Sequence, residues 1–137
     1  MNSIDPDKLI ELLNRQQPIN DYKVEGTVVL GSGNFPNSGN IAFNRCELDS
    51  LLLSTNANVV AFTDCKADRI TINVEDAKVI LFKNCRIFSV STIIHGRPAP
   101  MTTQLKFEGD RSSIAELNLL CIGTYQKKIR NYFKKNM

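Results

Sequence analysis

Ile41-Ala42-Phe43-Asn44-Arg45-Cys46, Val60-Ala61-Phe62-Thr63-Asp64-Cys65 and Ile80-Leu81-Phe82-Lys83-Asn84-Cys85 are three versions of one phrase. Their phenylalanines fall 19 and then 20 residues apart, and their cysteines keep the same spacing. A fourth version, Leu105-Lys106-Phe107-Glu108-Gly109-Asp110, follows 25 residues later, after an insertion rich in Gly and Pro. A period near twenty is the signature of stacked coils, each too small to bury its apolar side alone.

Aligning the four copies gives six columns: Ile41/Val60/Ile80/Leu105, Phe43/Phe62/Phe82/Phe107, Cys46/Cys65/Cys85/Asp110, Leu48/Ala67/Ile87/Ser112, Leu51/Ile70/Val90/Ala115 and Leu53/Ile72/Thr92/Leu117. Apolar residues fill 21 of these 24 slots, twice what a composition of 42% hydrophobic residues would place there. Within a copy the steps run 2, 3, 2, 3, 2. A step of two keeps side chains on one side of an extended chain, and a step of three marks a corner. Each coil is thus expected to be a set of short pieces with their apolar side chains turned inward.

That alternation resembles the pentapeptide-repeat family, whose members are right-handed quadrilateral β-helices. The matching segments include Cys46-Glu47-Leu48, Cys65-Lys66-Ala67, Cys85-Arg86-Ile87 and Ala115-Glu116-Leu117-Asn118-Leu119, and the resemblance spans roughly residues 41–122. It implies a mainly β fold, a short right-handed parallel β-helix. A broader parallel β-solenoid fits the same columns. Some family members imitate the DNA duplex with acidic faces and bind type II topoisomerases; this chain carries a net charge of +3.

A chain of 137 residues has room for one core, and its ordinary hydrophobic content excludes a disordered or collagen-like class. No apolar run approaches the ~20 residues of a membrane span. The polar start Met1-Asn2-Ser3-Ile4-Asp5 lacks a signal-peptide pattern, so a soluble, cytoplasmic protein is expected. None of Cys46, Cys65, Cys85 and Cys121 lies in a CxxC pair, and three share one inward column. They read as small apolar filler rather than metal ligands or disulfide partners, and no cofactor is implied.

The ends and insertions complete one domain: a capping helix within residues 1–18, a solenoid over 19–122 with a loop insertion at 94–104, and a C-terminal helix over 123–137. Asp5 caps the first helix, Pro6 suits its first position, and Leu9, Leu12 and Leu13 form its apolar stripe. Tyr22, Val24, Thr27 and Val29 repeat the inward spacing as an imperfect first coil, and Gly31 to Gly39 reads as turns, since no Lys-Ser/Thr of a phosphate loop follows. Asp110 and Ser112 fall at inward slots of the last coil, where the stack is expected to loosen. A helix starting at Ser113, with Glu116 completing a capping box, competes with a strand there.

Function belongs on the outward positions. Glu47/Lys66/Arg86/Arg111 forms a charged column, and Thr55/Val74/Ile94/Leu119 forms a column expected to face out yet turning apolar, with Ile93 beside it and Phe88 on the adjacent one. Val74, Phe88, Ile93, Ile94 and Leu119, with Arg97 on the neighbouring insertion, are the candidate contact residues for a protein partner. The same patch would serve a homo-oligomer, or receive the C-terminal helix through Tyr125, Ile129 and Phe133. The expected function is therefore non-enzymatic binding through an outer face. An alternative is nucleic acid or another acidic surface, met by Lys127, Lys128, Arg130, Lys134 and Lys135, with Tyr132 and Phe133 interleaved. An enzyme would have to use the stacked pair Asp49 and Asp68, whose column Phe88 and Ser113 interrupt.

Overall fold

A computed structural model describes residues 1–31, 39–75, 79–95 and 104–122 of the chain. After the two-residue strand β1 (Asn2–Ser3) and the helix α1 (Pro6–Asn14), short and long strands alternate. The order is β2 (Ile19–Asn20), β3 (Tyr22–Leu30), β4 (Asn40–Asn44), β5 (Glu47–Thr55), β6 (Val59–Thr63) and β7 (Lys66–Glu75). It continues with β8 (Val79–Lys83), β9 (Arg86–His95), β10 (Gln104–Glu108) and β11 (Ser113–Ile122). The short strands stack as one sheet in the order β2-β4-β6-β8-β10, and the long ones as another, β1-β3-β5-β7-β9-β11. Every pair is parallel and joins residues one coil apart. This is a parallel β-solenoid.

The phenylalanine column is real. Phe43, Phe62, Phe82 and Phe107 are register partners, and their rings stack at centroid distances of 5.1, 5.2 and 5.3 Å with planes within 8°. Coil spacing sets that distance, so each buried ring covers the next. Around them Ile41, Val60, Ile80 and Leu105 stack on one side, and Leu51, Ile70 and Val90 on the other, all buried.

Between each short and long strand the chain turns through one left-handed residue: Asp21 (φ 61°), Arg45 (53°), Asp64 (54°) and Asn84 (53°), with Gly109 (92°) in the last coil. Asp and Asn tolerate this region because their short polar side chains bond locally. The corner amides keep the ladder running: Arg45 N–H donates to the Thr63 carbonyl, Asp64 to Lys83 and Asn84 to Glu108, each at 2.9 Å. Gly109 must lack a side chain, since a Cβ there would strike the Asn84 amide oxygen.

Three readings of the spacing need correction. In coils two to four, the long strand begins four residues after the phenylalanine, at Glu47, Lys66 and Arg86; after Phe107 it begins six residues on, at Ser113. Two additional residues occupy that corner. Ile114, Leu117 and Leu119 therefore stack on Ile87, Val90 and Thr92, where the alignment had placed Ser112, Ala115 and Leu117. Asp110 is exposed rather than in the core, and Ser113–Ile122 is a strand, not a helix.

The second correction lies in β3, where a bulge between Val24 and Thr27 inserts one residue. Gly26 (φ 75°) carries the turn, and its N–H donates to Asp49 Oδ2 at 2.8 Å. Val28 and Leu30 point inward, while Thr27 and Val29 face out. The third concerns the far end of the long strands. Thr55, Val74 and Ile94 are expected to face out from their spacing, but the strands run on through them past Leu53, Ile72 and Thr92 without a corner. Strict alternation then carries those side chains inward, where they are buried.

The helix α1 is as expected. Asp5 Oδ1 accepts the Lys8 N–H at 2.8 Å, Pro6 opens the helix, and Leu9 and Leu13 are buried against the first coil. The insertion at 96–103, the segment 32–38 and the helix expected over 123–137 lie outside the described residues.

Candidate binding faces

The long-strand sheet presents the broadest outer surface. Two of its columns, Val29/Leu52/Thr71/Ser91/Asn118 and Ser54/Asn73/Ile93/Leu120, contain no charge. Val29 and Leu120 are 58% and 49% exposed, and Leu52 and Ile93 are half-buried. Toward the corner the sheet is bordered by Thr27, Ser50, Arg69, Ser89 and Glu116, and beyond them by Phe88, 57% exposed. Five rungs spaced by ~4.8 Å make the uncharged strip about 19 Å tall.

The residues singled out from spacing separate on this geometry. Phe88 and Ile93 do face outward. Val74 and Ile94, each 1% exposed, are core residues and cannot meet a partner. Leu119 belongs to the inner column above Thr92 and is half-buried because it sits in the last coil. Arg97, and Lys127, Lys128, Arg130, Lys134 and Lys135, lie outside the described residues. Val29, which the spacing places inside, and Leu120 face outward, and so does Leu52. Their signal was available: Val28-Val29-Leu30, Leu51-Leu52-Leu53 and Leu119-Leu120 are unbroken apolar runs in strands whose flanking members face in, so the member between or beside them must face out.

The charged column also changes at its end: Ser113, not Arg111, is the register partner of Arg86. Lower on this edge the charges are matched. Arg45 donates to both carboxylate oxygens of Asp21 at 2.7 and 3.0 Å, and Lys23 lies 3.9 Å from Glu25. The Arg45 guanidinium holds the Asp21 carboxyl below the usual carboxylate range. Of the stacked pair Asp49 and Asp68, the first is engaged by the Gly26 amide, a structural bond at the bulge.

The thiols of Cys46, Cys65 and Cys85 are buried and donate to the Ile19, Phe43 and Phe62 carbonyls at 3.3, 3.4 and 3.2 Å. Hydrogen bonds with Cys46 and Cys85, together with burial, push the Cys65 thiol well above its ordinary range. Among the described residues no three His, Cys, Asp or Glu side chains converge on one point, and no helix is long and apolar enough to cross a membrane. No protein-family model matches the chain, and no characterised protein or solved structure does so either.

Proposed function

We propose that the chain is a non-enzymatic β-solenoid module that binds a protein partner through the outer face of its long-strand sheet. One observation carries this reading: two adjacent outer columns without a charge, holding Val29, Leu52, Ile93 and Leu120, are left in contact with solvent. Soluble proteins seldom leave such a strip open, and its uncharged polar residues match the make-up of interface centres, where charge is depleted. Phe88, an exposed aromatic at the border, suits the role of an anchor. A strip of this height accepts one strand or helix of a partner, which places the contact in the small, reversible class. The likeness to pentapeptide-repeat proteins, carried by segments such as Cys46-Glu47-Leu48, supports a surface-presenting role.

The test is affinity capture with the wild-type chain beside Val29→Asp/Leu120→Asp. Both side chains are exposed, at 58% and 49%, so the double variant is expected to keep its circular dichroism and melting temperature. A partner retained by the wild type should be lost from the folded variant. Identical partner sets would remove the face from consideration.

A further inference from the structure

The C-terminal half of the charged edge carries cations that form no ion pair among the described residues, although Glu47, Asp49 and Asp68 lie on the neighbouring surface. Lys66 and Arg86 are register partners on adjacent strands, so their backbones lie only ~4.8 Å apart. Arg111 sits on the widened corner just before Ser113, the residue that pairs with Arg86 on its other side. The three side chains border a shallow concavity of about 260 Å³, together with Asn84 and Asp64. Among the described residues none of the three has a carboxylate within 4.0 Å, and Glu47, which pairs with Lys66 from below, stays beyond that distance. Asp64, the one acid on the rim, is a rung away from Arg45 on the corner ladder and is outnumbered three to one.

Like charges directly opposite one another on neighbouring strands destabilise a sheet. Lower on the same edge, opposite charges face each other across the coils: Arg45 meets Asp21, and Glu47 stands in register between Lys23 and Lys66. We infer that Lys66, Arg86 and Arg111 form a site for a phosphate-type oxyanion, which supplies the missing negative charge from outside the chain. The chemistry fits the group. A guanidinium binds two oxygens of one phosphate side by side, a lysine ammonium adds a point charge, and the concavity is wide enough for a phosphate or pyrophosphate with its water. The two-residue extension of the last corner is what brings Arg111 to the rim.

The experiment is titration of the isotope-labelled chain, followed by amide and arginine side-chain resonances, with inorganic pyrophosphate at constant ionic strength. A parallel arm uses phosphatidylcholine vesicles with and without phosphatidic acid. Saturable shifts confined to residues 64–66, 84–86 and 111 are expected, and the arm that saturates at lower phosphate concentration identifies a free or a lipid-borne group. Arg86→Ala should weaken binding about tenfold. Lys106→Ala, an equal loss of charge on the other sheet, should leave it unchanged. Shifts that never saturate in either arm, equal weakening by both variants, or an equal response to acetate would each overturn the assignment.

Discussion

At the residue scale, the corner positions decide how tightly the coils are joined. Arg45 adopts a left-handed conformation that costs an ordinary residue about 1 kcal/mol or more, yet its guanidinium reaches Asp21 on the rung below with two hydrogen bonds. The Asp21 carboxyl is lowered first by that hydrogen bond and then by the Arg45 charge, from an ordinary 3.8. A depressed carboxylate stabilises the fold above its unfolded value and loses that contribution as pH falls through its folded value. Asp21→Asn should therefore lower the melting temperature at pH 6, and the two curves should draw together as pH falls from 3.8 through the lower folded value. A gap between the two curves that persists at low pH would dissociate the pair from stability. Thr92 makes the opposite case. Its hydroxyl is buried among Ile72, Leu119 and their neighbours, and has no hydrogen-bond partner among the described residues. Thr92→Val should raise stability by about 1 kcal/mol, read as a higher urea midpoint with an unchanged slope. A lower midpoint would mean that the hydroxyl is satisfied.

At the element scale, the stack of short strands is held by its phenylalanines, and position in the stack sets what each contributes. Phe62 lies between two rings and is fully buried, whereas Phe107 covers one ring only and is half-buried. Phe62→Ala should destabilise by about 3–5 kcal/mol, the usual range for a core aromatic, and Phe107→Ala by clearly less. Equal losses in calorimetric or denaturant melts would contradict the stacking order. The short strands β4, β6, β8 and β10 were legible from the recurring phenylalanine, which has a single place to go, whereas β2, with Ile19 in that slot, was not. The long strands were legible only in part. Val74 and Ile94 alternate perfectly with Ile72 and Thr92, but a continuing strand and a corner leave nearly the same pattern of apolar residues over so short a distance.

At the scale of the whole molecule, the two ends of the described stack differ. At the N-terminal end α1 lies over the first coil, with Leu9 and Leu13 buried. At the other end Phe107, Ile114, Leu117 and Leu119, all inner-column residues, are only half-buried. In a stack where each coil meets only its neighbours, opening should begin where fewer contacts close the core. Native-state alkylation would report it directly, since Cys46, Cys65 and Cys85 sit in successive coils and are shielded alike. Cys85 should be modified before Cys46, with the order read by mass spectrometry of the peptides. Simultaneous modification would mean that the coils open as one unit. The two surfaces proposed above also differ in placement: the uncharged strip spans five strands of the long-strand sheet, whereas the three cations, unpaired among the described residues, gather toward the C-terminal end of the described stack.

The amino-acid sequence alone determined the repeat, the stacked phenylalanines, the helix at the start and the inward cysteines. Each follows from a period longer than any helix or hairpin, or from capping chemistry confined to a few neighbouring residues. Tertiary structure decided everything that depends on an inserted residue. The bulge at Gly26 and the two extra residues after Phe107 each shift the register that follows, and side-chain direction in a strand reverses with every single step. That is why Val29 and Leu120 lie on the surface, whereas Val74 and Ile94, expected outside, are core because their strands run on without a corner. A pattern of apolar residues says that a coil has an inside; hydrogen-bond pairing with the coils above and below says which residues are on it.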